Sequence, residues 1–355
     1  DGNGKKYFYN GKYASGWFND GNAWYFFEDG SKHSGYGTDG NGKKYFYNGK
    51  YASGWFDDGS AWYFFKDGSK HRGYGVDGNG KRFFDNGKYF VFDKSIPYSS
   101  GKEIQVYKLN NELLADSILN SWASGLRNNY VEEILLEPLI KGTGLTKQEF
   151  LEKNIFPSHQ NRIGASTMSG EFGEILVYDY INFTLKHYVT RTRYLEKVNP
   201  NMPVSGSDVI GYQVENIDKP SKTDHLIVAE VKTHSSKSGN KKSLCEKTVK
   251  DAIKHSVKDR VRLGESLNAE KRRLFNRSRI EEAKIVERFQ NKTDNPFIID
   301  FFAVAVLDSD LYSDQVVLDV VNSQHENVKS TSILIIHSKE LLLFLRDLYR
   351  RACSC

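Results

Sequence analysis

The chain has 355 residues, of which 27% are charged and 39% hydrophobic, with a formal net charge of +5. That length allows two or three domains and a substantial core, and the lack of any apolar run of about eighteen residues excludes a membrane-spanning helix. A charge of +5 over this length does not by itself point to a polyanionic partner.

The N-terminal third is repetitive. Asp1 to Thr38 recurs as Asp39 to Val76 with five differences: Asn19/Asp57, Asn22/Ser60, Glu28/Lys66, Ser34/Arg72 and Thr38/Val76. A third copy opens at Asp77-Gly78-Asn79-Gly80 and decays by Phe90. Aromatic runs such as Tyr7-Phe8-Tyr9 and Ala23-Trp24-Tyr25-Phe26-Phe27 are separated by Asn10-Gly11, Asp20-Gly21 and Asp29-Gly30. Asn-Gly and Asp-Gly supply the positive backbone angles of tight hairpin turns, and aromatic side chains suit half-buried strands. The expectation is an all-β region of hairpin repeats over residues 1–95, with a 38-residue period and the degenerate copy as a cap. Trp17, Trp24, Trp55 and Trp62 are expected to fill the space between hairpins, the alternative being an aromatic platform for sugars or a partner protein. His33 and His71 read as incidental turn residues. The pattern Asn10-Gly11-Lys12-Tyr13-Ala14-Ser15-Gly16-Trp17 resembles the units of bacterial wall-binding and surface-layer proteins, which implies an appendage touching glycan or cell wall.

The segment from Ser95 to Lys102 reads as a linker, because the glycine-aromatic bias ends at Ile96-Pro97-Tyr98-Ser99-Ser100-Gly101. Residues 102–355 then alternate helical and strand-like segments, predicting an α/β domain with a mixed sheet flanked by helices. Helices are expected at Asn111 to Leu126 and Tyr130 to Ile140, after a capping box at Thr146-Lys147-Gln148-Glu149, and from Ser169 to Tyr180. Strands are expected around Tyr188 to Leu195, at Asp208 to Glu215 and at Leu226 to Thr233, with a polar turn from Asn216 to Asp224. Two long helices, Lys247 to Val261 and Ala269 to Phe289, precede strands at Phe297 to Leu307 and Ser332 to Ile336 and a last helix from Lys339 to about Arg351. Cys245, Cys353 and Cys355 are too few for a disulfide framework, which favours a reducing compartment, and Cys353-x-Cys355 reads as a loose tail. The sequence opens on Asp1 without a basic-plus-apolar leader, which reads as a lost leader or a fragment.

The residues that carry chemistry lie in the second half. Asp208 stands at the mouth of one strand, and Glu230-Val231-Lys232 interrupts the otherwise apolar strand Leu226-Ile227-Val228-Ala229. Charge inside an apolar strand is costly unless it is paired or bound to metal; the alternative is a Glu230–Lys232 pair at a sheet edge or solvent-facing strand end. Side chains on a strand repeat with period two, so Glu230 and Lys232 share a face. Upstream, Glu171 and Glu174 lie three apart on one helical face, with Glu174 ranked first as the helix carboxylate; either can instead be a helix N-terminal acid. Asp208, Glu230, Glu174 and Glu171 are thus candidate oxygen ligands for Mg2+ or Mn2+, and Lys232 a candidate catalytic cation alongside Glu230, Asp208 and Glu174. From Lys237 to Arg288 the chain is rich in Lys and Arg, a solvated helical face on its own but a useful phosphate-tracking surface beside such a centre. Arg191 and Arg193, alternating on the expected strand, are further candidate phosphate contacts or simply solvated side chains, while His234 reads as a surface residue, the alternative being a substrate contact.

This order of Arg162, Gly164, Ser169-Gly170-Glu171-Phe172-Gly173-Glu174, Ser207-Asp208 and Ala229-Glu230-Val231-Lys232 resembles the nuclease subunit of the Hachiman anti-phage system, of the PD-(D/E)xK superfamily. The resemblance covers roughly the last two thirds of the chain and implies a restriction-endonuclease-like fold. It implies a Mg2+- or Mn2+-dependent DNA endonuclease in bacterial defence, cytoplasmic and restrained by a partner helicase. By position, Asp208, Glu230 and Glu174 would hold metal and Lys232 would polarise water and phosphate. The aromatic repeats are not part of that pattern. They keep open a surface or wall-binding protein, or a delivered nuclease toxin.

Overall fold

The structure is a computed structural model that describes residues 6–10, 12–19, 23–57, 62–66, 69–70, 73–77, 80–84, 91–98, 101–111, 116–217 and 219–354. Gly11, Asp20, Gly21, His71, Gly78, Asn79, Ser99, Ser100 and Cys355 lie outside them, as do the side chains of Trp55 and Trp62 and the end of the third copy. The chain divides into two units, residues 1–88 and 89–355.

The first unit is a series of small antiparallel sheets. Its first strands in successive sheets begin at Gly16, Gly35, Gly54 and Gly73, a spacing of 19 residues. The structural unit is therefore half the expected 38-residue repeat, each sequence copy holding two sheets. Backbone bonds recur at the same interval: Tyr7 N–H donates to Gly30 O and Phe26 N–H to Gly49 O, both at 2.7 Å. Phe27, Phe46 and Phe65 occupy equivalent buried positions. Asn10, Asp29 and Asn48 take positive φ near 48°, and Gly30 and Gly49 follow at +73° and +76°, the turn geometry that Asn-Gly and Asp-Gly provide. Trp17 packs edge-on against Phe26 and Tyr51 and donates to Asp39 at 2.9 Å, whereas Trp24 stays 62% exposed. His33 makes an ion pair with Glu28 at 2.6 Å.

The second unit is α/β, a six-stranded mixed sheet flanked by helices. Its strands run in the order Val91–Pro97, Glu103–Leu109, Thr331–Ser338, Ile298–Asp308, His225–His234, Val209–Gln213. The four inner strands are parallel and each edge strand is antiparallel to its neighbour. The segment expected as a linker is instead the end of an edge strand and its turn: Ile96 pairs with Ile104, and Tyr98 with Lys102 closes the hairpin. Isoleucine and valine at alternate positions there bury Ile104 and Val106 in the core.

Two helices fill the expected stretch between Lys247 and Phe289 but divide it elsewhere: the first, Lys241–Asn276, runs through the expected gap and crosses one face of the sheet. Its buried side continues without a break through Cys245, Val249, Ala252, Ile253, Ser256, Asp259, Ser266, Leu267, Glu270 and Leu274. The interruption falls later, where Ser278 takes φ +56°, before the helix Ile280–Arg288. The capping box at Thr146 forms as expected, with Thr146 and Glu149 bonding reciprocally. Tyr188 to Leu195 is not a strand: Tyr188 makes one isolated bridge to Tyr212, and Arg191 at φ +54° breaks the extended run. Nor does Cys353 lie in a loose tail: it is buried within the helix Leu341–Ser354, while Cys355 lies outside the described residues. No helix among the described residues is long and apolar enough to cross a membrane.

Candidate active site

Strand register builds the site. Val209 pairs with Ala229 and Gln213 with His225, so continuing the ladder by one residue sets Asp208 opposite Glu230. Asp208 Oδ2 accepts the Val231 N–H at 2.9 Å. Gly206, at φ +106°, turns the approach to Asp208, and Ser207 ties that turn to the long helix through Asp259 Oδ1 and Ser266 Oγ, both at 3.0 Å. Alternation puts Glu230 and Lys232 on the face shared by Leu226 and Val228, which the long helix covers. From that helix Arg262 and His255 come within 3.1 and 3.5 Å of Glu230, and Lys232 donates to the same carboxylate.

The helix Arg162–Asp179 lies against the opposite side of this strand, touching Thr233 through Gly173. Glu174, the next residue, accepts from the Tyr194 hydroxyl and lies 3.0 Å from Arg193 Nε. Arg193 also reaches Asp208 Oδ1 at 3.2 Å, so one guanidinium bridges two of the expected carboxylates. Glu171 turns away from them: it accepts from Tyr130 at 2.9 Å and pairs with Lys197. Asp208, Glu230 and Glu174 therefore share one electrostatic environment, and Glu171 has its own partners. Arg191 pairs with Asp179, so neither arginine of the expected strand presents itself outward as a phosphate contact.

Burial pushes the Glu174 carboxyl up to about 8, with repulsion from Asp208 adding to it. Burial and then the same Asp208 charge push Glu230 up to about 7. Lys232 moves the other way from a desolvated amine. Burial works against its charge, but Asp208 and Glu230 outweigh burial and hold it above the ordinary lysine value. It is a fixed cation at neutral pH, not a base.

The donor chemistry fits a hard divalent cation, since mutually repelling carboxylates are the oxygen ligands such ions take. Three or more His, Cys, Asp or Glu side chains do not converge into a ready ligand set among the described residues. Arg193, Lys232 and Arg262 instead pair with these carboxylates. A cavity of about 360 Å³ opens beside Asp208 and Arg193, walled by Tyr178, Thr192, Arg262 and Arg273.

The long helix contributes residues that the sequence reading passes over. His255, Asp259 and Arg262 stand at i, i+4 and i+7, a spacing that puts all three on the face toward the glutamate strand. Lys247, Lys250, Lys254 and Lys258 form an exposed row on the same helix. Burial and then Lys232, Lys258 and Lys254 depress His255, and burial and then Lys247 depress the half-buried His234. By contrast, other members of the basic run are structural: Arg288 pairs with Asp224, and Arg260 donates to Ser330 O.

Two outcomes follow from this packing. A Cβ on Gly173 would overlap Thr233 Oγ1 and lie 3.1 Å from Thr233 Cβ. Rotating the threonine cannot relieve the second contact. Alanine would gain about 1 kcal/mol of helix propensity but overpack the helix–strand seam by about 1–3 kcal/mol. Gly173→Ala is therefore expected to lower the thermal midpoint by a few degrees, and Thr233→Ala to restore part of it in the double variant; a stabilised Gly173→Ala protein would refute the seam.

The second concerns pH. Above about pH 4.5 the unfolded carboxyls ionise, while in the folded, metal-free protein Glu230 holds its proton up to about 7 and Glu174 up to about 8. Their folded values are raised, so the stability they contribute is lost as pH rises through about 7 and about 8. Each contributes a slope of at most about 1.4 kcal/mol per pH unit. Denaturant titrations in chelator at pH 6.5 and 8.5 should show that decline, and Glu174→Gln should flatten it; Glu282, raised to about 7 by burial, is the background to subtract through Glu282→Gln.

No curated protein and no solved structure matches the chain. A family model described as HamA matches residues 87–352, a span that takes in the whole six-stranded sheet and the carboxylate cluster at its edge. The chain belongs to the HamA family of Hachiman anti-phage defence systems.

Proposed function

We propose that the chain is a metal-dependent deoxyribonuclease, the DNA-cutting component of its defence system, held in check by a partner helicase. The observation that carries this reading is the register that sets Asp208 opposite Glu230, with Lys232 on the same face as Glu230. When bound, Mg2+ or Mn2+ would be held by Asp208 and Glu230 and would supply Lewis-acid polarisation of the phosphate and a more acidic water. The protonated Lys232 approaches a non-bridging phosphate oxygen and offsets the charge that builds as water attacks the phosphorus. Arg262 anchors Glu230 from the helix side at 3.1 Å. The lysine row Lys247, Lys250, Lys254 and Lys258 supports a nucleic-acid backbone running along the long helix toward the site. The cavity beside Asp208 leaves room for a nucleotide-sized part of the substrate.

The helicase partner rests on family membership. For the repeats, Trp24 and Tyr47 at 62% and 60% exposed support a contact surface for glycan or a protein partner.

Incubating the purified chain with supercoiled and linear DNA in Mg2+, in Mn2+ or in chelator tests the reading. Nicked or linear product is expected with either metal and none in chelator. Equal cutting in chelator, or none under any condition even with the helicase added, would remove it.

A further inference from the structure

The three carboxylates of the site are neutralised unequally. Lys232 and Arg262 hold Glu230 with side chains that are 30% and 35% exposed, so both can turn into solvent and give up their place. Arg193 is different. Its side chain is 7% exposed and is locked by the loop that carries Asp208: it donates to Ser207 O at 2.6 Å and Val204 O at 2.8 Å. Withdrawing it would take this donor from the Ser207 and Val204 carbonyls and leave Asp208 without its guanidinium partner. The approach of Arg193 to Glu174 at 3.0 Å is a contact without aligned hydrogen-bond geometry, so the pair is held by position.

We propose that Arg193 is a permanent cation of this centre, standing where a second metal ion would otherwise sit between Glu174 and Asp208, so that the protein takes one divalent cation, between Asp208 and Glu230. The inference rests on the metal-dependent reading above and narrows it. Asp208 can serve both sides, because a carboxylate offers about four lone-pair positions and its contacts to Arg193 and to the Val231 N–H use only some of them. Glu174 is then a positioning residue: it fixes Arg193 and does not touch the metal.

The test is a Mn2+ titration of the purified full chain followed by electron paramagnetic resonance, which counts bound ions without requiring turnover. One equivalent is expected. Glu174→Gln, which keeps side-chain volume, should keep that equivalent with affinity weakened by less than about tenfold, while Glu230→Gln should weaken it by about a hundredfold or more. A second equivalent on the unmodified chain, or a loss in Glu174→Gln as large as in Glu230→Gln, would overturn the assignment of Arg193 while leaving the nuclease reading in place. If the unmodified chain retains no Mn2+ at all, the metal-dependent reading itself fails, and this inference with it.

Discussion

Glu230→Gln is expected to abolish DNA cleavage, a loss of roughly 1000-fold or more, while leaving the fold intact. On the proposed metal-dependent reading the size follows from removing a carboxylate that would hold the metal, a loss of several kcal/mol, each tenfold in rate being about 1.4 kcal/mol. The survival of the fold follows from the neighbours. Glutamine fills the same volume inside the strand, so no cavity opens. Lys232 and Arg262 lose their anion, but both side chains reach water and neither becomes a buried unpaired charge. The substitution also deletes a carboxyl that burial has already pushed up to about 7. At pH 8 the metal-free variant should therefore be as stable as the parent or slightly more so. Single-turnover cleavage in Mg2+, paired with a denaturation curve at pH 8, separates the two effects. Retained cleavage in a folded Glu230→Gln protein would show that the strand carboxylate is not part of the chemistry.

The parts of this molecule that were legible from the sequence are those set by local periodicity. The short apolar run of Leu226 to Thr233 gives the glutamate strand, and Thr146 with Glu149 gives a cap, because both are written within a few residues. The pairing of Asp208 with Glu230 was inferable as proximity but not as register, which depends on where the two strands meet. The Val91–Pro97 and Glu103–Leu109 hairpin was hidden by the turn residues inside it, and its first strand contains Pro97 at the very end, a position an edge strand tolerates. The helix Asp314–Ser323 was missed because Val316, Val317, Val320 and Val321 read as readily as strand. By sequence Arg193 reads as one of two arginines alternating on a strand, a phosphate contact or a solvated side chain. Its burial is decided by the carbonyls of Val204 and Ser207, a feature of loop geometry with no sequence periodicity. The repeat period was seen at twice its structural value because alternate sheets differ in sequence while sharing one backbone pattern.

The same misreading of charge leads to the largest expected stability effect. Arg288 belongs by sequence to the basic run, yet its side chain is 2% exposed and pairs with Asp224, itself fully buried, at 2.6 Å. It also donates to Asn295 O at 3.0 Å, Ser221 O at 2.7 Å and Pro296 O at 3.0 Å, so one guanidinium satisfies four acceptors. Asp224 in turn accepts the Ser221 N–H at 3.0 Å and precedes the glutamate strand, which begins at His225. The pair thus anchors the turn that launches Glu230 into register. Arg288→Met keeps the length and the apolar stem, but leaves a buried carboxylate and three carbonyls short of donors. Breaking such a pair from one side costs about 3–5 kcal/mol, and for a domain of this size the thermal midpoint should fall by on the order of 10 °C. Arg288→Lys should recover only part of the loss, since one ammonium cannot reach acceptors arranged around a planar fork. DNA binding by the lysine row should survive below the new midpoint, because Lys247 to Lys258 lie on a different helix. An Arg288→Met protein that melts with the parent but binds DNA more weakly would instead return Arg288 to the phosphate-tracking surface and separate the turn from the register it is argued to fix.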